Sequence, residues 1–288
     1  MILVAGATGN VGGAVAEALC GMGKPVRALV RATSDAARVA RLEKAGAEIA
    51  RGELRDQESL ARACAGVETV VSGATAIASL GTDPIDAVDR DGQVALVNEA
   101  RDAGAGHFVY VSFSGNITGD DPLTQAKRAV EEHLRTSGLA YTILRPSFFM
   151  EAWLGPPLGW DLTSGTVRVL GTGEQRVSWI SAQDVVAAIL ACVDNPDAHG
   201  ETIELGGPQA LSPLEVVRLA ESLSGRSVAV EHVPAEALAE QLHEAGGTDA
   251  AVFPSLMMAQ TRGDELAPAP EWLRPQVTVE DYLRGAAT

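Results

Sequence analysis

The N-terminal segment constrains the fold of this chain more than any other. The apolar run Ile2–Ala5 leads directly into the turn Gly6–Gly12 (GATGNVG), and a helical pattern follows at once. In such a strand–turn–helix unit, one glycine permits the tight turn, a second lets the backbone approach a pyrophosphate, and a third allows close packing of helix on strand. The amide groups at the start of the helix then face the anion. The segment therefore predicts dinucleotide binding, with Gly6, Gly9 and Gly12 in the cofactor site.

Short β-rich runs alternate with longer helical patterns over the first half of the chain. The predicted strands are Ile2–Ala5, Val26–Val30, Glu48–Ala50, Thr69–Ser72, Phe108–Ser112 and Tyr141–Leu144, and the predicted helices are Val11–Met22, Asp35–Ala45, Gln57–Cys64, Pro84–Ala103 and Thr124–Thr136. Strands that are apolar on both faces and separated by helices are typical of a doubly wound parallel sheet. The predicted fold class is therefore α/β, a parallel Rossmann sheet with a smaller C-terminal substrate lobe.

The alternation is interrupted after Pro146 by clustered aromatic residues and a Gly-Pro-Pro break. Regular structure then returns, with strands predicted at Val177–Ile180, Thr202–Leu205 and Val228–His232 and with helices opened by capping boxes at Ser181 and Ser212. We expect residues 1–147, completed by residues 177–206, to form the dinucleotide-binding core. Residues 148–176 and 207–288 then form a small substrate-binding lobe.

Charge and composition narrow the range of partners. The chain has 288 residues and a net charge of −16, which repels nucleic acid and anionic membrane surfaces. No apolar run is long enough to span a membrane, and no charged leader precedes the first strand. The three cysteines lie far apart, as reduced thiols do, and no cysteine–histidine spacing resembles a metal site. We expect a cytoplasmic monomer or homodimer that acts on a small molecule and binds no metal, nucleic acid or membrane.

The end of the second strand indicates which cofactor is bound. In proteins that prefer NAD, an acidic residue about twenty positions beyond the glycine turn binds the ribose 2′-hydroxyl. Arg31 stands there instead, and no Asp or Glu is adjacent. A guanidinium group suits the 2′-phosphate of NADP through paired hydrogen bonds. The sequence therefore predicts NADPH as the cofactor, held by Arg31, with Ser34 as a weaker contributor.

The glycine spacing, with Ala7-Thr8 and Asn10 inside it, resembles that of the atypical short-chain dehydrogenase/reductases, specifically the NmrA-like group. Val26–Arg31, Gly52–Asp56, Leu139–Pro146 and Val177–Val185 are also similar to segments of that family. The resemblance implies a Rossmann fold that binds NAD(P)H. It also implies that Glu53, where the family usually has Asp, lies near the adenine, and that the end of Leu139–Pro146 lines the nicotinamide site. The full set assigned to the cofactor is Gly6, Thr8, Gly9, Asn10, Val11, Gly12, Arg31, Glu53, Leu54, Ser72, Gly73, Ala74, Ser112, Lys127, Pro146, Ser147 and Phe148.

The resemblance also exposes a departure at the centre of the chemistry. Most short-chain reductases protonate the substrate oxygen with a tyrosine four residues before a lysine. If Lys127 is that lysine, Leu123 occupies the position of the tyrosine. The chain's tyrosines are Tyr110 and Tyr141, in predicted core strands, and Tyr282, near the C-terminus. The usual tyrosine acid is therefore absent.

Lys127 is a candidate on its own pattern as well. It falls on the apolar stripe that Leu123, Val130 and Leu134 form at helical spacing. A lysine on a core-facing stripe either extends out to solvent or serves a buried polar ligand. We predict that Lys127 is catalytic, and that it holds the nicotinamide ribose or acts as an acid.

A second set of candidates follows the strand Phe108–Ser112, because sites in parallel sheets lie at the carboxyl ends of strands. Ser112 and Ser114 are placed there to bond a cofactor or substrate oxygen. The resemblance implies a catalytic serine that aligns with Ser112, Phe113 or Ser114; Ser114 is favoured, and Asn116 is kept in reserve. An apolar pocket for a flat or bulky substrate is also predicted, with core packing as the alternative interpretation of its aromatic residues. The predicted pocket residues are Phe113, Asn116, Phe149, Trp153 and Trp179.

Two functions from different classes account for these features. The first is an NADPH-dependent reductase of a ketone, quinone or conjugated enone on a bulky, aromatic small molecule, such as a secondary-metabolite ketoreductase. A substrate that spreads the developing charge needs less help from a protein acid, and the proton then comes from Lys127, water or the substrate's own hydroxyl. The alternative is a regulatory protein that senses NADP(H) without turnover. A sugar-nucleotide epimerase is less favoured, because that chemistry relies on the missing tyrosine.

Overall fold

A parallel sheet of seven strands forms the centre of the structure, a computed structural model that describes residues 1–79 and 81–286. The strands in chain order are β1 (Ile2–Ala5), β2 (Val26–Val30), β3 (Glu48–Arg51), β4 (Thr69–Ser72), β5 (His107–Val111), β6 (Ala140–Pro146), β7 (Trp160–Asp161), β8 (Thr166–Leu170), β9 (Glu201–Leu205) and β10 (Ala229–Val233). The sheet order is β3-β2-β1-β4-β5-β6-β9, and the first six strands pair in parallel. This order doubles back from β1, so the predicted α/β Rossmann fold is confirmed.

Helices connect the strands and cover both faces of the sheet. They are α1 (Asn10–Gly21), α2 (Ala36–Ala45), α3 (Gln57–Cys64), α4 (Gln93–Asp102), α5 (Pro122–Thr136), α6 (Met150–Trp153), α7 (Ala182–Val193), α8 (Pro213–Ser224), α9 (Ala235–Ala245), α10 (Val252–Thr261) and α11 (Val279–Ala286). The core between sheet and helices includes Leu3, Leu60, Leu96, Phe108 and Leu134, each fully buried. Full burial of one such side chain stabilises the fold by roughly 1.5–3 kcal/mol.

The structure corrects two of the predicted elements. The predicted strand Val177–Ile180 is wrong, because its ends form only isolated bridges. Its amides bond to three different segments: Val177 N to the Leu211 carbonyl, Ser178 N to the Asp264 carbonyl and Ile180 N to the Phe148 carbonyl. The predicted helix Pro84–Ala103 is divided into a π-helical turn, Asp86–Gly92, and α4.

The two predicted capping boxes have different outcomes. Ser212 and Glu215 form a complete box at the start of α8. At the start of α7, the Ser181 hydroxyl accepts the amide of Asp184, which is half of a box. The Asp184 carboxylate instead accepts the backbone amides of Gln276 and Val277, at 2.9 and 3.0 Å.

The chain divides into two compact units. The first contains Met1–Ser112, Gln125–Leu144 and Val186–Ile203, and the second contains Phe113–Thr124, Arg145–Val185 and Glu204–Thr288. The second unit includes a small sheet in which β8 pairs in parallel with β10 and antiparallel with β7. The predicted domain boundary at residue 147 stays a prediction. Residues 80, 287 and 288, which belong to the predicted domains, lie outside the described residues. No helix in residues 1–79 and 81–286 combines the length and apolar character of a membrane span.

A buried histidine in the first unit makes stability depend on pH. His107 is 3% exposed, its Nε2 lies 2.9 Å from Thr142 Oγ1, and its ring centroid is 4.3 Å from that of His199. Burial, and secondarily His199, lower the pKa of His107 from 6.5 to about 4. Between those values the unfolded chain binds a proton that the folded chain does not, so folding stability falls as pH falls.

We expect the free energy of unfolding to decrease as the pH drops from about 6.5 to about 4, with His107 contributing about 3 kcal/mol at most. Urea unfolding of the wild type and of His107→Gln across this pH range measures the effect, which the variant should lose. His133→Gln is the control, because His133 is half-buried and bonds only Asn98 at 2.9 Å among the described residues. An unchanged pH slope in His107→Gln would contradict the assignment.

Candidate functional site

The glycine turn between β1 and α1 has the geometry that the sequence predicts for it. Gly6 adopts a φ of +80°, and a Cβ there would lie 2.9 Å from the backbone N and Cα of Ala74. A Cβ on Gly12 would overlap the carbonyl of Gly6. Gly9 is the residue before α1, and a Cβ there would come within 3.1 Å of the Gly6 carbonyl oxygen. The turn is therefore packed as tightly as a phosphate cradle requires.

The start of α1 is open to an anion. No described side chain caps this helix, and its first turn holds no acidic residue. The amides of Asn10, Val11 and Gly12 belong to the first turn, whose N–H groups have no partner inside a helix and carry a partial positive charge. Thr8 borders them, with its Oγ1 3.4 Å from Ser34 Oγ. An anionic group is the natural occupant of such a position.

Two arginines lie near this turn, and the sequence analysis identified one of them. Arg31, at the end of β2, donates from Nη1 to Asp83 Oδ2 at 2.7 Å, and this hydrogen bond holds the pKa of Asp83 below its ordinary value. Arg38, in the first turn of α2, donates to the carbonyl of Thr8 at 2.6 Å. This contact requires α2 to lie beside the loop that contains Thr8, and no sequence pattern indicates that arrangement. Arg38 adds positive charge to this region, while Arg31 is paired with Asp83.

The other predicted cofactor residues of the first unit bond one another or adjacent loops. Ser72 donates to Gln93 Oε1 at 2.8 Å, and Gln93 donates in turn to the Ala74 carbonyl at 2.8 Å. The amide of Gly73 donates to the Ala5 carbonyl at the end of β1. Glu53 is partly exposed and lies 3.5 Å from Arg55, while Leu54 is buried; their adenine contacts stay predictions.

Lys127 is buried in the first unit, as its position on the apolar stripe predicts. It is 5% exposed, and its Nζ lies 3.4 Å from Asp89 Oδ1 and 3.5 Å from the Val111 carbonyl. The Nζ also lies 5.2 Å from the centre of the Tyr110 ring. Asp89 is fully buried, and its other oxygen accepts the Ala76 amide at 2.8 Å. The π-helical turn supplies this carboxylate, which the sequence analysis missed.

The buried groups beside Lys127 supply no alternative acid. Tyr110 is fully buried, and its hydroxyl has no hydrogen-bond partner among the described residues. Burial raises the pKa of this phenol well above its ordinary value, and Asp89 raises it further. Ser112 donates to Glu131 Oε1 at 2.6 Å, so its hydroxyl hydrogen is bound inside the unit. The role of Lys127 as a proton donor stays a prediction.

In the second unit, a buried carboxylate gathers three predicted site residues. Asp264 is 1% exposed. Its Oδ1 accepts from Ser114 Oγ at 2.7 Å and from Asn116 Nδ2 at 3.0 Å, and its Oδ2 accepts from Ser147 Oγ at 2.7 Å. Ser114 also donates its amide to the Pro146 carbonyl at 2.9 Å. Asp264 fixes the loop after β5, and the sequence analysis missed it.

The predicted aromatic pocket residues of the second unit divide into two groups. Trp179 is fully buried, with its indole N–H bonded to the Leu211 carbonyl at 2.9 Å, so it packs in the core. Trp153 is 9% exposed and packs edge-on against Phe148, a predicted cofactor residue, with the ring centroids 4.8 Å apart. Phe113 and Phe149 are half-buried and present part of their rings. Their role in substrate binding stays a prediction.

The sequence is similar to known proteins over most of its length. A family model described as the NmrA-like family matches residues 1–261. An NAD(P)H azoreductase from Xenophilus azovorans is 32% identical over 235 residues, which is 79% of this chain and 75% of the relative. A photosystem II assembly factor from Trieres chinensis is 30% identical over 240 residues, which is 81% of this chain and 72% of the relative.

Solved structures share the same architecture. An NADPH-dependent quinone oxidoreductase from Escherichia coli, complexed with NADPH, has a TM-score of 0.78 and 21% sequence identity. The match covers 100% of both chains. The match supports a shared fold.

Proposed function

The chain belongs to the NmrA-like family, and from that premise we propose that it is an NADPH-dependent reductase. The observation that carries the proposal is a buried lysine, Lys127, in the same unit as an open, glycine-lined helix start. Burying a lysine and a carboxylate together costs desolvation free energy that their mutual attraction often does not offset. The burial of this pair therefore favours a functional role over a purely stabilising one. The similarity to an NAD(P)H azoreductase, at 32% sequence identity, supports a redox role.

The residues proposed to bind the pyrophosphate and the 2′-phosphate suit NADPH. Because Gly6 and Gly12 have no Cβ, the backbone of the turn packs as closely as a pyrophosphate site needs. The first turn of α1 also carries no acidic residue that would repel the pyrophosphate. Arg31 and Arg38 supply charge for the 2′-phosphate. When bound, NADPH supplies a hydride. The chain's own residues then orient the dinucleotide, and positioning is the main contribution to the rate.

The proposed substrate is a bulky aromatic molecule with a quinone, conjugated enone or ketone group. Such a group delocalises the negative charge that develops at oxygen, which suits a chain without the usual tyrosine. We propose that Lys127 stabilises that charge or donates the proton, while Asp89 holds its ammonium group in place. Water or the substrate's own hydroxyl are the alternative donors. Ser114 and Asn116, oriented by Asp264, are proposed to contact the substrate.

A cytoplasmic location is part of the proposal. Cys20, Cys64 and Cys192 form no disulfide within the described residues. Burial raises the pKa of Cys64 and of Cys192 to about 12, so both stay protonated. Unreactive, reduced thiols are typical of a reducing compartment.

A second candidate function is NADP(H) sensing without turnover. It is favoured by the internal bonding of the serine hydroxyls, since Ser112 donates to Glu131 and both Ser114 and Ser147 donate to Asp264. A relative 30% identical is a photosystem II assembly factor. The experiment that separates the two functions is NADPH oxidation against a panel of quinones, enones and polycyclic ketones, run beside a binding titration. Turnover supports the reductase, and tight binding without turnover supports the sensor.

Arg31→Ala is expected to weaken NADPH binding by about tenfold to a hundredfold, because charge-assisted hydrogen bonds to the 2′-phosphate are lost. NADH binding should change by less than about twofold, since NADH has no 2′-phosphate. Fluorescence titration of both cofactors measures the change. Arg41→Ala is the control, because Arg41 is exposed and pairs with Glu17 at 2.8 Å. Equal losses for NADH and NADPH would contradict the assignment of Arg31.

A further inference from the structure

The second unit contains a polar cavity that the proposed reaction does not use. Its volume is about 510 Å³, and it is lined by Asn116, Gln175, Arg176, Arg262, Gly263 and Glu265, with Gly115 and Thr118. Gly115 and Asn116 directly follow Ser114, the predicted catalytic serine. The cavity therefore opens beside the loop that is proposed to contact the substrate.

Arg262 brings a guanidinium group to the cavity beside the Arg176–Glu265 pair. It follows α10, is exposed, and donates from Nη2 to the Thr118 carbonyl at 2.8 Å. It forms no ion pair with any residue in the ranges 1–79 and 81–286. Arg176 differs, because it lies 3.7 Å from Glu215 and 3.8 Å from Glu265. The donors of the Arg262 guanidinium other than the one bonded to Thr118 have no partner in the described part of the chain, and they are available to an anionic ligand.

The backbone fixes this arginine relative to the Ser114 loop. Gly263 has a φ of +81°, and a Cβ there would lie 2.8 Å from the Arg176 carbonyl oxygen. The next residue, Asp264, donates its amide to that same carbonyl at 2.9 Å. Its buried carboxylate accepts from Ser114 and Asn116. One rigid turn thus carries both the cation at the cavity and the group that orients the loop.

We propose that this cavity binds an anionic substituent of the substrate, such as a carboxylate, sulfonate or phosphate, through Arg262. The proposal rests on the reductase function and narrows its substrate to an aromatic acceptor that carries an anion. A guanidinium group bonds such planar or tetrahedral anions through paired donors. The side-chain amides of Asn116 and Gln175 line the same cavity and add neutral donors.

A favourable interaction with the C-terminal end of α10 is the competing explanation for Arg262. It needs no ligand and predicts no effect on substrate choice. Arg226 offers a matched control, because it is exposed and also follows a helix C-terminus, directly after Gly225, the residue that caps α8. Any general effect of removing a surface arginine in the second unit should be shared by Arg226→Met.

The test compares a naphthoquinone with the same naphthoquinone carrying a sulfonate, as acceptors for wild type, Arg262→Met and Arg226→Met. We expect Arg262→Met to raise KM for the sulfonated acceptor by about tenfold and for the neutral acceptor by less than about twofold. Arg226→Met should change neither value. Equal effects of Arg262→Met on both acceptors, or no effect on either, would overturn the proposal.

A calorimetric titration with a naphthalene sulfonate, which cannot be reduced, tests the cavity without turnover. Binding that weakens about tenfold in Arg262→Met and is unchanged in Arg226→Met supports the anion site. Binding that is equal in all three proteins, or absent from the wild type, overturns it. If the wild type reduces neither naphthoquinone, the reductase function fails, and this titration still decides whether the cavity is an anion site.

Discussion

Gly9→Val is expected to weaken NADPH binding by more than about a hundredfold while the fold is retained. The backbone of Gly9, with φ −79° and ψ 171°, is one that valine adopts readily. A Cβ there meets only the Gly6 carbonyl oxygen, at 3.1 Å, so a small adjustment accommodates it. The valine methyl groups would nevertheless cover the first turn of α1, where the pyrophosphate is proposed to bind. Gly12 is unsuitable for this test, because a Cβ there overlaps the Gly6 backbone.

A fluorescence titration with NADPH, paired with a thermal unfolding curve, measures this effect. Gly21→Ala is the matched control at the far end of α1, where a Cβ would have no neighbour within 4 Å. It should bind NADPH as the wild type does and be stabilised by about 0.5–1 kcal/mol. A Gly9→Val protein that is folded and binds NADPH with unchanged affinity would remove the phosphate-loop assignment.

Lys127→Met is expected to lower kcat by about a hundredfold or more, since it removes the one charged donor proposed for the reaction. KM for NADPH should rise less, because the glycine loop and Arg31 remain. The variant leaves the buried Asp89 carboxylate without its cation, which costs about 3–5 kcal/mol of stability. Loss of activity by the single variant would therefore not separate chemistry from folding.

The double variant Lys127→Met/Asp89→Asn makes that separation. It removes both charges, and the asparagine oxygen still accepts the Ala76 amide. We expect most of the lost stability to return while kcat stays about a hundredfold low. Lys44→Met, on the exposed face of α2, is the control and should leave both quantities unchanged. Recovery of kcat in the double variant would show that Lys127 serves the fold and not the reaction.

The fold was accessible from the sequence because its signals are local. The bounds of β1, β2, β4 and α3 match the predicted segments, since each apolar run or capped helix is set by its own residues. The start of α5 was placed at Thr124, two residues late. Asp121 caps this helix by accepting the Thr124 amide at 3.0 Å, and Pro122 takes its first position.

The candidate site is harder to predict from the sequence, because its residues contact side chains that are distant in the chain. Lys127 is visible from its apolar stripe, but its counter-ion Asp89 depends on a π-helical turn that no periodicity indicates. Ser114 and Asp264 are 150 positions apart and meet through the second unit's tertiary structure. The predicted strand at Val177–Ile180 fails for the same reason, since its amides bond to separate segments.

The stoichiometry of one anaerobic reaction tests the proposed reductase function most directly. The purified chain, NADPH and each quinone, enone or polycyclic ketone are mixed, and both NADPH consumption and acceptor reduction are followed by absorbance. We expect one NADPH to be oxidised for each acceptor reduced in at least one class, and we expect Gly9→Val to abolish the reaction. Tight NADPH binding with no acceptor reduced in any class would contradict the reductase function and favour NADP(H) sensing.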